Sequence, residues 1–104
     1  MIILLDACVP RPLKRILSTH SVSTAQDMGW GKMKNGELIK AAEQRFEVFV
    51  TCDQNIRYQQ NIKERMIAIL VIPTNDWMLI QKHAIEITDA VCLLKAGDFV
   101  ELVW

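Results

Sequence analysis

The chain has 104 residues, 51% of them hydrophobic, and its twelve basic and twelve acidic side chains cancel to zero net charge. That length and apolar content suit one domain, residues 1–104, whose core needs no disulfide support. The balance of charge excludes a protein that coats nucleic acid through charge alone, and no stretch approaches the roughly 18 apolar residues of a membrane span.

The opening Met1-Ile2-Ile3-Leu4-Leu5-Asp6 lacks the basic leader and small-residue cleavage site of a secretion signal, so the expected compartment is the cytoplasm. Cys8, Cys52 and Cys92 are an odd set in such a chain, and reduced thiols are expected. Charge is unevenly spread. Residues 1–65 hold ten Lys or Arg against seven Asp or Glu, and residues 66–104 hold two against five.

In chain order, Ile2 to Leu5 is an apolar run of the length of a buried strand, and it stops at Asp6. Val9-Pro10-Arg11-Pro12 then opens a short helix with Leu13, Ile16 and Leu17 on one face, Pro12 suiting a first turn. His20 to Thr24 is a weak strand, and residues 26–36, with three glycines around Trp30, form a loop. Asn35 is the expected N-cap of a helix from Gly36 to Arg45, with Leu38, Ile39, Ala42 and Phe46 at core spacing and Glu37 in the first turn.

A second strong strand, residues 47–51, leads through Cys52 to Asp53. The polar segment 54–61 that follows begins a short helix, and Tyr58, Gln59, Gln60 and Asn61 form a hydrogen-bonding cluster in it. Residues 66–72 are an uninterrupted apolar run suited to the middle of a parallel sheet, ended by Pro73. From Trp77 to Leu94 the apolar positions 80, 84, 87, 91 and 94 predict one long amphipathic helix stopped by Gly97, and residues 99–103 a last strand. Strands alternating with crossover segments predict an α/β three-layer fold with a mostly parallel sheet.

In such a sheet ligands gather outside the carboxyl ends of the strands. Asp6 and Asp53 end two strands, and a side chain in a first helical turn tilts back toward the helix start, so Glu37 is expected at the same rim. Three carboxylates there would lack counter-charge, which Mg²⁺ or Mn²⁺ supplies while keeping waters able to attack a phosphodiester. Asn55, two residues past Asp53, adds a neutral oxygen to that set. Each acidic residue taken singly also has a structural explanation, as a helix cap or a partner of the helix dipole.

The segments Leu4-Leu5-Asp6-Ala7-Cys8-Val9-Pro10, Lys34-Asn35-Gly36-Glu37-Leu38 and Val50-Thr51-Cys52-Asp53-Gln54-Asn55 resemble the PIN-like nuclease superfamily, in particular its short bacterial toxin-like branch. The likeness spans residues 1–72. It implies a Rossmann-like PIN fold, metal-dependent endonuclease activity directed at RNA, and a toxin role neutralised by a small antitoxin protein. On that pattern Asp6, Glu37 and Asp53 match the acidic metal ligands and Thr51-Cys52-Asp53 the family's Thr-x-Asp. Ala7 stands where the branch carries a second carboxylate, and Asn55 at its fourth acidic position.

Arg11, Lys14, Lys32, Lys34 and Arg57, with Asn35, are candidates for phosphate contacts around the acidic rim, the alternative being an ordinary solvated face. Cys8 and Cys52 flank the rim and admit a zinc reading, although neither belongs to a Cys-x-x-Cys pair. Two other functions stay open: a catalytically silent PIN-like module that binds RNA or protein, and a receiver-like domain with Asp53 as phosphoryl acceptor. The last strand and Trp104 are a candidate contact with a second subunit.

Overall fold

The computed structural model of the protein describes residues 1–58 and 65–104. Five strands, β1 (Ile2–Leu5), β2 (Ser21–Thr24), β3 (Val48–Thr51), β4 (Ala68–Val71) and β5 (Phe99–Glu101), form one sheet in the order β2-β1-β3-β4-β5. Every neighbouring pair is parallel, with Leu5 beside Thr24 on one side and Val50 on the other. The helices are α1 (Leu13–Ile16), α2 (Asn35–Ala42), α3 (Trp77–Lys82) and α4 (Ala84–Leu93), and a 3-10 turn spans Ile56–Tyr58. The three-layer α/β architecture expected from the sequence is therefore present, and its sheet is parallel throughout.

The core divides cleanly by sheet face. Ile3, Leu5, Val48, Val50 and Leu70 pack with Leu13 and Leu17 of the α1 region and with Ile80, Ile87 and Val91 of α3 and α4. On the other face Leu4, Phe49 and Ile69 pack with Leu38, Ile39 and Ala42 of α2 and with Ile56. Because both faces are covered, β3 and β4 bury every residue, which is why they read as unbroken apolar runs and not as alternation. Burying each Val, Leu, Ile or Phe side chain there contributes roughly 1.5–3 kcal/mol. The edge strands β2 and β5 are only partly covered, so their sequence signal is weaker.

The steps from β2 to β3 and from β4 to β5 run the same way across the sheet, yet α2 covers one face and α3 with α4 covers the other. Those two crossovers have opposite hands, so one departs from the right-handed preference of parallel sheets.

Several boundaries differ from the sequence expectation. The residue in the N-cap position of α2 is Lys34, in extended conformation and without a side-chain cap, and Asn35 is already helical. The long helix expected from Trp77 to Leu94 is two helices. His83, at φ −110° and ψ 22°, leaves the helical range between them, and its ring stacks on Trp104 at 4.2 Å and 7°. The apolar spacing continues through the break because both helices face the same core, so periodicity alone does not reveal it. Trp104 packs within its own chain against the core under α3 and α4.

Gly97 is also reassigned. α4 ends at Leu93, and Gly97 lies in the turn that enters β5, with φ +83° and its N–H donating to the Met66 carbonyl at 2.8 Å. Glycine suits that left-handed backbone because it carries no Cβ.

Candidate functional site

The strand order β2-β1-β3-β4-β5 reverses direction between β1 and β3, the place where an open parallel sheet leaves a crevice at its carboxyl edge. Asp6 follows β1 there. Its N–H continues the ladder to the Val50 carbonyl at 2.9 Å, and its side chain is 8% exposed. The carboxylate is anchored at both oxygens: Oδ1 accepts the Ala7 N–H at 2.7 Å, and Oδ2 accepts the Thr51 hydroxyl at 2.7 Å and the Cys8 thiol at 3.5 Å. A buried carboxylate is tolerated when donors replace its lost water.

Thr51, the last residue of β3, is fully buried and joins the two strand ends. While its hydroxyl donates to Asp6, the same oxygen accepts the Asp53 N–H at 3.1 Å. Asp53 is half-buried, and its Oδ1 accepts the Asn55 N–H at 2.9 Å, which fixes the turn after β3. Gln54 secures that turn to β4 by donating from Nε2 to the Ile72 carbonyl at 2.9 Å. Asn55 thus supports Asp53 through its main chain, while its residue as a whole is exposed.

Cys8 and Cys52 lie against each other beside Asp6. The Cys52 N–H donates to Cys8 Sγ at 3.4 Å, and the Cys52 thiol donates to the Cys8 carbonyl at 3.3 Å. The hydrogen bond with the Cys52 side chain holds the Cys8 thiol below the usual thiol range. That same contact, with burial, pushes Cys52 well above it.

The loop after β2 adds a carboxylate that reading the sequence did not single out. Asp27 donates its N–H to the Thr24 hydroxyl at 3.0 Å and pairs through its carboxylate with Arg11 and, at 3.5 Å, with Lys14. Gln26 Nε2 donates to the Ala7 carbonyl at 3.2 Å, so this loop borders the β1 turn. Threonine three residues before aspartate just after a strand is the local signal that could have marked it. The missed hub is Thr51, whose hydroxyl links two carboxylate-bearing residues although the motif reading assigned it no separate role.

The other candidates are spread out. Glu37 is exposed on the first turn of α2, Lys34 is exposed just before that helix, and Asn35 opens it. Arg57 lies farther along the carboxyl edge, where it pairs with Glu101, the last residue of β5, at 3.5 Å and donates to the Tyr58 hydroxyl at 3.0 Å. Lys32 is exposed in the loop before α2. Gln59, Gln60 and Asn61 of the polar cluster lie outside the described residues. Among the described residues no three His, Cys, Asp or Glu side chains gather as a metal-binding group, so the expected convergence of Glu37 with Asp6 and Asp53 is not seen there. No helix among the described residues is long and apolar enough to cross a membrane.

No known protein family, curated protein or solved structure matches this chain.

Proposed function

We propose that this chain is a small PIN-like endoribonuclease that depends on Mg²⁺ or Mn²⁺, acts on RNA in the cytoplasm and is restrained by a small antitoxin protein. The observation that carries the reading is the placement of Asp6 and Asp53 around the Thr51 hydroxyl at the reversal point of the sheet. Mg²⁺ is commonly held by one or two carboxylates, the remaining positions going to water and substrate phosphate. Asp6 and Asp53, both hard oxygen donors, fit that requirement and would hold the ion, with Asn55 bracing Asp53 from its main chain. When bound, the cation supplies charge neutralisation at the scissile phosphate and a polarised water.

The remaining roles fall to this chain's own side chains. Arg11 and Lys14 are assigned the flanking RNA phosphates, which compete with Asp27 for them. Glu37, exposed on α2, is given no part in holding the ion, and Lys34, Asn35 and Arg57 are assigned more distant backbone contacts. The test is incubation of purified protein with single-stranded RNA and either ion, beside Asp6→Asn and Asp53→Asn. Cleavage by the wild type and its loss in both variants is expected; equal cleavage by all three would identify a contaminating nuclease. RNA binding without cleavage would favour the silent module.

A second reading is favoured by one observation. The order β2-β1-β3-β4-β5 with an aspartate just after β3 is also that of receiver-like domains, in which Asp53 would accept a phosphoryl group. Ala96 to Val103, the last loop and strand region, has no lysine to meet that group. Labelling of Asp53 by a small phosphodonor separates the two readings.

A further inference from the structure

The structure points to a second chemistry at the same edge, independent of any nuclease activity. We propose that Cys8 and Cys52 are a dithiol which a low-molecular-weight disulfide of the glutathione class converts into an intramolecular disulfide, tying the end of β1 to the end of β3.

Three observations carry it. First, the two residues follow hydrogen-bonded neighbouring strands, and the turn closed by the Val9 N–H on the Asp6 carbonyl brings Cys8 back beside Cys52. The β1–β3 ladder sets the two strand ends about 4.8 Å apart, and a disulfide needs a Cα separation of about 4.4–6.8 Å. Second, each sulfur already touches the other residue, Cys8 Sγ at the Cys52 N–H, 3.4 Å, and Cys52 Sγ at the Cys8 carbonyl, 3.3 Å. Third, Cys8 is exposed and Cys52 is half-covered, so a small reagent meets Cys8 first, with Cys52 behind it as the resolving group.

The exchange balances without another reactant. Cys8 sulfur, giving up its proton, bonds to one sulfur of the reagent; the reagent's S–S bond breaks, and its other half leaves with the proton as a thiol. Cys52 sulfur then bonds to Cys8 sulfur, breaks the mixed disulfide and passes its proton to the second departing thiol. Two electrons move from the protein pair to the reagent. Closure also removes the Cys8 thiol from Asp6 Oδ2 and the Cys52 thiol from the Cys8 carbonyl. Among the described residues Asp6 then keeps the Ala7 and Thr51 donors, so the redox state of the pair reaches the carboxylate at the β1–β3 crevice.

Cys92, exposed on α4, serves as the internal comparison. Folded protein is equilibrated with oxidised glutathione, quenched with acid and digested without reductant for mass spectrometry. The expected product has lost two hydrogens through a Cys8–Cys52 link and carries glutathione only at Cys92. In Cys52→Ser the adduct should remain on Cys8, and in Cys8→Ser no internal link should form. In urea the preference for the Cys8–Cys52 link should fall by roughly tenfold or more, because the folded chain sets the effective concentration of the two thiols. Stable glutathione adducts on both Cys8 and Cys52 of the folded wild type would overturn the proposal, as would equal linkage of either residue to Cys92.

Discussion

The Thr51 hydroxyl donates to Asp6 Oδ2 at 2.7 Å across 45 residues of sequence, and so joins the ends of the two strands that flank the crevice. Both partners are buried, at 0% and 8% exposure, which makes this bond a structural as well as a chemical feature.

Replacing Thr51 by valine keeps the shape but leaves the Asp6 carboxylate and the Asp53 N–H each short of a partner. The expected loss is about 1–3 kcal/mol, the cost of leaving a buried polar group unsatisfied. Thr51→Ser retains the hydroxyl and should lose less. Urea denaturation gives the answer: the midpoint should fall for Thr51→Val with the slope unchanged.

Stability at acid pH should report Asp27. Its carboxyl is held below the usual range by the Thr24 side chain first, then by Arg11 and Lys14. A carboxyl with a depressed folded-state pKa contributes stability that is fully present above its unfolded value. That contribution is lost as pH falls below about 4 through the folded value. Carbon-detected NMR titration should place the Asp27 midpoint below those of ordinary exposed aspartates, and Arg11→Ala should raise it.

The proposed RNA contact gives Asp27 a second, opposite effect. Because it occupies Arg11 and Lys14, Asp27→Asn should free them for phosphate and tighten RNA binding severalfold, whereas Arg11→Ala with Lys14→Ala should weaken it and flatten its salt dependence. Fluorescence anisotropy at two salt concentrations measures both. Unchanged affinity in all variants would remove this cluster from the RNA interface.

Trp104 stacks on His83 at the helix break, and His83 Nδ1 lies 2.8 Å from Glu86 Oε1. The Trp104 indole N–H is buried with no partner among the described residues. Trp104→Phe should therefore keep the stack and cost little, while Trp104→Ala should lose the aromatic contact, about 0.5–1.5 kcal/mol, in addition to its buried area. Thermal melts followed by circular dichroism discriminate the two.

What the sequence by itself determined was local. Runs such as Ile2–Leu5 and Ala68–Val71 are apolar without interruption because both sheet faces are covered, and that requirement is written in consecutive residues. The strand-ending positions of Asp6 and Asp53 follow from the same runs. Tertiary structure decided everything that depends on distant partners. Strand order placed Asp6 beside Thr51, and a ring 21 positions away accompanies the helix break at His83. Arg11 and Lys14 met Asp27, Cys8 met Cys52, and Glu37 remained exposed on α2. Periodicity records which side of an element faces the core; it carries no information about which other element brings its hydrogen-bond donor, ring or thiol to that place.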